Sequence, residues 1–194
     1  MNDTASSRWL GPAQLTALGF LALILTGTVL LTMPFSSADG TATAPMSALF
    51  TATSATTLTG LVTEDTGSHW SLAGQVIVLA LIQVGGLGIM SITSLTGMLL
   101  TGRVKLRSRY STAAEGRPIL EGGVRRTLVA TLLLTFFFEA VVAAILFIRF
   151  ATTYDMPLPR AAWEGVFHAI SAFNNAGFGL RSDSLISYNT DGWI

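Results

Sequence analysis

Three long apolar runs constrain the fold of this chain more than any other feature. They cover residues 15–33, 74–101 and 127–150, and each approaches or exceeds the roughly 20 residues that an α-helix needs to cross a bilayer. Only 11% of the 194 residues are charged, whereas an average soluble domain carries roughly 25%. The runs therefore predict an all-α polytopic membrane protein with a spanning helix in each.

The composition also limits the chemistry available. The chain has no cysteine, which excludes disulfides, thiol catalysis and cysteine-ligated metals. The run 15–33 is longer than the hydrophobic region of a signal peptide, so we expect it to be a retained span. An intramembrane enzyme would need paired acids or a Ser/Lys or His cluster at bilayer depth, and only Glu139 lies there. We therefore expect no enzymatic activity.

Two short stretches between the apolar runs resemble each other. Residues 50–61 align with residues 167–178 at an offset of 117 without a gap, and five of the twelve positions are identical. Such self-similarity indicates an internal repeat. Each stretch predicts a short helix, over residues 46–58 and 160–173, followed by a glycine-bearing extended turn. Extended backbone at membrane depth must be buried in protein or line water, so we expect both turns to line a cavity.

Basic residues are concentrated between the second and third apolar runs. This loop, residues 102–126, holds seven of the eleven basic residues. They are Arg103, Lys105, Arg107, Arg109, Arg117, Arg125 and Arg126. The positive-inside rule places such a loop in the cytoplasm, and residues 33–74 contain no Lys or Arg. We therefore expect the N-terminus and the basic loop to be cytoplasmic and the segment 33–74 to be external.

The repeat divides the chain into two units of outer helix (M1), pore helix (P) and inner helix (M2). Residues 1–101 form a complete first M1–P–M2 unit, residues 102–126 the basic loop, and residues 127–194 a second unit. The offset predicts that the second M2 begins at residue 191, close to the last residue, 194. We therefore expect a chain with one complete potassium-channel-like repeat and one truncated before its M2.

This organisation is suited to conducting cations. A cation that leaves water must be offered protein oxygen instead, and rings of backbone carbonyls do this in potassium filters. Turning carbonyls toward one axis demands unusual dihedral angles, which glycine adopts at no steric cost. We assign that role to Gly60 and Gly177. The pore helices would also direct their partially negative C-termini toward the ion.

Three motifs closely resemble the Trk/Ktr/HKT superfamily of potassium transporters. They are Thr-Gly-Leu at 59–61, Ile-Gln-Val-Gly-Gly-Leu-Gly-Ile-Met at 82–90, and Ser-Ala-Phe-Asn-Asn-Ala-Gly-Phe at 171–178. The resemblance implies potassium transport by four M1–P–M2 repeats in one chain of the cell (inner) membrane, so this two-repeat piece should be inactive alone. It also implies K⁺ contacts, at the filter residues only, from eight backbone carbonyls. These are the carbonyls of Leu58, Thr59, Gly60, Leu61, Asn175, Ala176, Gly177 and Phe178.

The resemblance implies partners as well. It implies a homodimer of the pore chain, the usual state among members, and a cytosolic ring of nucleotide-binding (RCK-type) regulatory subunits. It implies no covalently bound cofactor and no nucleic-acid partner. K⁺ is the expected transported ion, with Na⁺ as the candidate coupling or activating ion.

Several interpretations stay open at the level of sequence. A sodium-permeable or sodium-coupled transporter of the same fold and a non-transporting membrane assembly protein are the alternative functions. We expect Thr57 and Asn174 to support the filters, and direct coordination by the Asn174 side chain is the alternative. Glu139 is either functional, or protonated or structurally paired with a buried polar partner, and Gln83 is expected to bond between helices. The glycines at 85, 86 and 88 favour close helix packing over ion contact.

Overall fold

A computed structural model of the chain describes residues 12–89, 120–184, 186–188 and 191. Helices account for nearly all of the regular structure, and the described residues contain no β-strand beyond one isolated bridge between Ser37 and Trp70. The α-helices are α1 (Pro12–Thr32), α2 (Pro45–Thr57), α3 (Thr66–His69), α4 (Leu72–Ile89), α5 (Leu120–Thr152) and α6 (Leu158–Phe173). Two 3-10 turns lie at Pro34–Ser36 and Ile186–Tyr188.

Three of these helices are long and apolar enough to cross a membrane. Their candidate spans are Gln14–Thr32 in α1, Leu72–Ile89 in α4 and Val129–Thr152 in α5, which confirms helices in the three predicted runs. Residues 90–101 of the predicted second span lie outside the described residues. Large apolar side chains are exposed along α1 and α5, including Leu21, Leu25, Val29, Leu133, Phe136 and Phe137. Such surfaces suit contact with lipid, whereas in water they would favour aggregation.

The two short helices also occupy their predicted positions. Helix α2 has 13 residues and α6 has 16, and both carry proline in the first turn, where its missing N–H costs no helical hydrogen bond. Both are shorter than a spanning helix. Each is followed by an extended segment, as the sequence predicts.

Helix α5 begins earlier than the sequence predicted. Residues 120–126 are already helical, so the predictions that the basic loop continues as a loop to residue 126 and that the helix begins at residue 127 are wrong. The apolar run marks only the part of a helix that lies in hydrocarbon, whereas backbone hydrogen bonds can continue the helix into water. Residues 102–119 of the predicted basic loop lie outside the described residues.

The core lies around the short helices rather than at the centre of a long bundle. Helix α1 packs against α2, and α5 packs against α6. The face of α2 that meets the core is made of small residues, Ala48, Ala52 and Ala55, all fully buried. Small side chains let helix backbones approach closely. The same cluster includes Ile82 of α4 and Phe178 after α6, so the core supports both extended segments.

Candidate ion-binding site

The first extended segment leaves α2 through a left-handed turn. Leu58 caps the helix with φ 59°, and its N–H donates to the carbonyl of Ser54. The N–H of Thr59 donates to the same carbonyl at 3.1 Å. Gly60 follows with φ 72°, a conformation that L-residues with a Cβ rarely adopt. The chain therefore turns sharply at the end of α2 and needs glycine two residues later.

The second segment leaves α6 in the same way. Asn175 has φ 53° and Gly177 has φ 73°. The N–H of Ala176 donates to the carbonyl of Ser171 at 2.8 Å, at the same spacing as the bond from Thr59 to Ser54. The left-handed residues and the glycines of the two segments therefore correspond at the offset of 117.

The two glycines lie against each other. A Cβ atom on Gly60 would sit 2.9 Å from the carbonyl oxygen of Ala176 and 3.1 Å from the Cα of Gly177, and a Cβ on Gly177 would sit 3.0 Å from the Cα of Gly60. Real Cβ atoms are rarely found so close to other heavy atoms. The segments therefore meet backbone to backbone, with no space for a side chain at either glycine.

The other predicted filter residues differ in exposure. Thr59, Leu61, Asn175 and Gly177 are exposed, and Leu58 is partly buried. In contrast, the side chains of Ala176 and Phe178 are buried in the core. A cavity of about 440 Å³ lies beside the second segment and is lined by residues that include His168, Asn175 and Gly177. The structure thus brings the backbones of the two predicted segments together, and each segment keeps some residues exposed.

Two buried serines brace the segments. Ser54 accepts a hydrogen bond at its Oγ from the Thr59 hydroxyl at 3.0 Å, whereas the Ser171 hydroxyl donates to the carbonyl of Phe178 at 2.6 Å. One lone pair of the Phe178 carbonyl, a predicted ion contact, is therefore already engaged by protein. Ser54 and Ser171 are identical residues at matching positions of the repeat, which was the available sequence signal for this role.

The glycines of α4 allow that helix to approach the ends of both short helices. A side chain at Gly85 would collide with the carbonyl of Thr56, and one at Gly86 with the Oδ1 atom of Asn174. A Cβ atom on Gly88 would sit 3.3 Å from the ring of Phe20 in α1. These contacts support the packing interpretation of the glycine-rich stretch.

Three polar side chains meet at the C-terminal end of α6. Glu139 of α5 accepts from the Gln83 side-chain amide of α4 at 3.2 Å and from the Asn174 amide at 3.2 Å. Asn174 Nδ2 also lies 3.3 Å from Gln83 Oε1. Glu139 therefore has the buried polar partners that its structural interpretation requires, and Gln83 bonds between helices as expected.

The Thr57 side chain forms its hydrogen bond within its own helix. Its hydroxyl donates to the carbonyl of Thr53 in its own helix at 2.8 Å, whereas Asn174, at the corresponding position of the repeat, is bonded to two other helices.

Sequence reasoning missed the second buried acid. Glu164 of α6 has a side chain only 3% exposed, and its carboxylate lies 3.6 Å from Arg160 and 3.5 Å from His168. The His168 Nδ1 atom is also 2.8 Å from the Glu164 carbonyl oxygen. The four-residue spacing of Glu164 from each partner was the available signal, since such residues are neighbours on a helix.

Sequence similarity to a known protein family identifies the family of this chain. The model of the TrkH family, described as cation transport protein, matches residues 12–194. The chain belongs to the TrkH family. With its apolar helices, this makes it a multi-pass membrane protein.

Curated relatives of this TrkH-family chain carry names of ion-uptake proteins. It is 41% identical over 184 residues to the Ktr system potassium uptake protein B of Bacillus subtilis, and that match covers 93% of the chain and 40% of the relative. It is 38% identical to the potassium/sodium uptake protein NtpJ of Enterococcus hirae, covering 95% of the chain and 41% of the relative. Against the Ktr system potassium uptake protein B of Vibrio alginolyticus the identity is 36%, with 93% and 39% covered. The chain thus spans about two fifths of these relatives.

Proposed function

We propose that this chain forms the N-terminal part of the pore subunit of a bacterial potassium uptake system. In this proposal α1, α2 and α4 are the M1–P–M2 helices of one repeat, and α5 and α6 begin a second. The residues following α2 and α6 are two of the backbone filters. The observation that carries the proposal is the direct contact of Gly60 and Gly177, two glycines with the same left-handed φ at the same position of a sequence repeat.

The physical argument rests on what these segments offer an ion. Their polar backbone groups are held at the ends of two helices whose C-termini carry partial negative charge. Removing a cation from water requires oxygen ligands in return, and residues 58–61 and 175–178 are the backbone positions that we assign to K⁺. The lack of room for side chains at the two glycines leaves only backbone between the segments.

A sodium-linked variant is the second candidate. The relative named as a potassium/sodium uptake protein, at 38% identity, lies between the two named for potassium alone, at 41% and 36%. Glycine at both filter positions favours potassium, and Na⁺ would then act as a coupling or activating ion. We also propose that the basic loop lies in the cytoplasm, and that the whole protein is a homodimer that binds nucleotide-binding regulatory subunits on that side.

The proposal is tested by expressing the full-length coding sequence in bacteria that lack their own potassium uptake systems. We expect growth at limiting external K⁺ to be restored, and sodium in excess to leave that growth intact if the potassium assignment is right. Growth that requires added Na⁺ would favour the sodium-coupled variant. A full-length protein that reaches the membrane but restores no growth, with or without its regulatory partner, would contradict a role in uptake.

A further inference from the structure

The Glu139, Gln83 and Asn174 cluster joins three helices at the point where the second filter segment begins. Glu139 is 5% exposed and Asn174 is 4% exposed, while Gln83 is partly buried. Glu139 lies within the apolar span Val129–Thr152. Polar groups at such depth are costly and tend to be functional, so their placement at the end of α6 needs a reason.

The orientation of the Asn174 amide follows from its surroundings. Its Nδ2 atom faces three oxygens, from Glu139 at 3.2 Å, Gln83 at 3.3 Å and the Ile170 carbonyl at 2.9 Å. Rotating the amide by half a turn would place Oδ1 against the same oxygens and replace attraction with repulsion. Its Oδ1 atom instead packs against the Cα of Gly86 and has no hydrogen-bond partner among the described residues. The cluster therefore fixes Asn174 in a single orientation.

Asn174 in turn determines how the chain leaves α6. It is the C-cap residue of that helix and directly precedes the left-handed Asn175. A change in the backbone dihedral angles of Asn174 would redirect residues 175–177, which follow it directly. The carboxylate of Glu139 therefore acts on the second segment through one intermediate side chain.

The first segment has no such anchor through Thr57. That residue corresponds to Asn174 in the repeat, but its hydroxyl is bonded within α2 to the carbonyl of Thr53. The two segments thus share backbone conformation and differ in how they are held.

We infer that Glu139 is a positioning residue, which holds the second filter segment in its ion-binding conformation by bonding Asn174, with Gln83 as the bridge to α4. This inference rests on the proposed function for its consequence in transport, but its structural part does not. Both Glu139 oxygens and the Asn174 Nδ2 atom are paired in this cluster, and paired buried polar groups favour a rigid segment.

The first test measures order and needs no transport. Hydrogen exchange is followed in the full-length protein in lipid nanodiscs, with Glu139→Gln as the variant because it keeps the shape and replaces one acceptor oxygen with a donor. We expect exchange at residues 175–177 to accelerate roughly tenfold, as one to two hydrogen bonds to Glu139 are lost or weakened. Peptides from α1 serve as the internal reference and should not change. Unchanged exchange at residues 175–177, or an equal rise in α1, would overturn the positioning role.

Thr135→Val is the matched control. Thr135 lies on the same helix one turn before Glu139 and is 2% exposed, so its replacement tests the effect of altering any buried polar residue in α5. We expect exchange at residues 175–177 to stay as in the wild type. A rise as large as that of Glu139→Gln would show that the effect is general to α5, which would overturn the inference.

The second test separates positioning from direct action by a double-mutant comparison of transport. Glu139→Gln should raise the K⁺ concentration for half-maximal uptake roughly fivefold, and adding Asn174→Ala to it should cause little more change than Asn174→Ala alone, because contacting residues couple. When Glu139→Gln is combined with Thr57→Ala, the fold-changes of the two single variants should multiply, because the Thr57 hydroxyl is bonded within its own helix. Independent effects with Asn174→Ala would overturn the inference. Absent uptake in the wild type would refute the proposed function, while the exchange result still decides the role of Glu139.

Discussion

Gly60 and Gly177 meet through their backbones, with φ angles of 72° and 73°, although 117 positions separate them in the sequence. Each is two residues after a left-handed residue, Leu58 or Asn175, that lies just beyond the end of a short helix. A side chain at either position would face both a backbone conformation disfavoured for L-residues and the opposing segment. The proposed filter therefore depends on glycine at both positions.

The helix contacts at Gly85 and Gly86 should be sensitive to a single methyl group. Gly85→Ala would collide with the Thr56 carbonyl and Gly86→Ala with Asn174, and overpacking of this kind costs roughly 1–3 kcal/mol. We expect both variants to lower the temperature at which the full-length protein in detergent unfolds. Gly19→Ala is the control, because nothing lies within 4 Å of the added Cβ. Equal unfolding temperatures for the three variants would show that α4 does not pack as described.

The bond from Ser171 to the Phe178 carbonyl should matter more for ion binding than the serine of the first repeat. Ser171→Ala removes a buried donor 2.6 Å from that carbonyl, and a buried acceptor left unpaired costs roughly 1–3 kcal/mol. We expect the K⁺ concentration for half-maximal uptake to rise at least about fivefold. Ser54→Ala is the control, since Ser54 bonds the Thr59 hydroxyl rather than a backbone carbonyl. A larger effect at Ser54 would contradict this ranking.

The turn after α1 should respond to acid through Asp39. Hydrogen bonds from Ser37 and then Thr41 hold the pKa of Asp39 at about 2, below its ordinary value of 3.8. Because the folded-state pKa is the lower one, the stabilisation is fully present above pH 3.8 and is lost as the pH falls toward 2. We expect the wild type to unfold at a slightly higher temperature than Asp39→Asn at pH 6, and the difference to shrink below pH 4. A difference that grows with acid would contradict the assignment.

The sequence predicted the positions of helices where hydrophobicity continues over many residues or where a stretch of sequence is repeated. The apolar runs located α1, α4 and α5, and proline together with the repeat located α2 and α6, because hydrophobic length and turn residues act locally. The helical conformation of residues 120–126 was not predictable from hydropathy, since an apolar run does not show whether the helix extends beyond its ends.

Contacts between distant side chains were beyond the sequence. Gln83, Glu139 and Asn174 were each identified as polar residues of interest, but their meeting depends on how α4, α5 and α6 cross. The same holds for the approach of Gly60 to Gly177, which the repeat suggested only as similarity and not as contact. Ion coordination by residues 58–61 and 175–178 stays a prediction.

Selection of potassium by the two glycine segments is tested by ion competition in the full-length protein. Uptake of K⁺ into proteoliposomes is measured against increasing Na⁺ for the wild type, Gly60→Ser and Gly177→Ser. Gly40→Ser is the matched control, because Gly40 has φ 73° but no atoms within 4 Å of an added Cβ. We expect both filter variants to lose discrimination by about tenfold or more, as backbone strain of roughly 1–3 kcal/mol is imposed there, and Gly40→Ser to retain it. Unchanged selectivity in Gly60→Ser and Gly177→Ser would contradict the filter assignment.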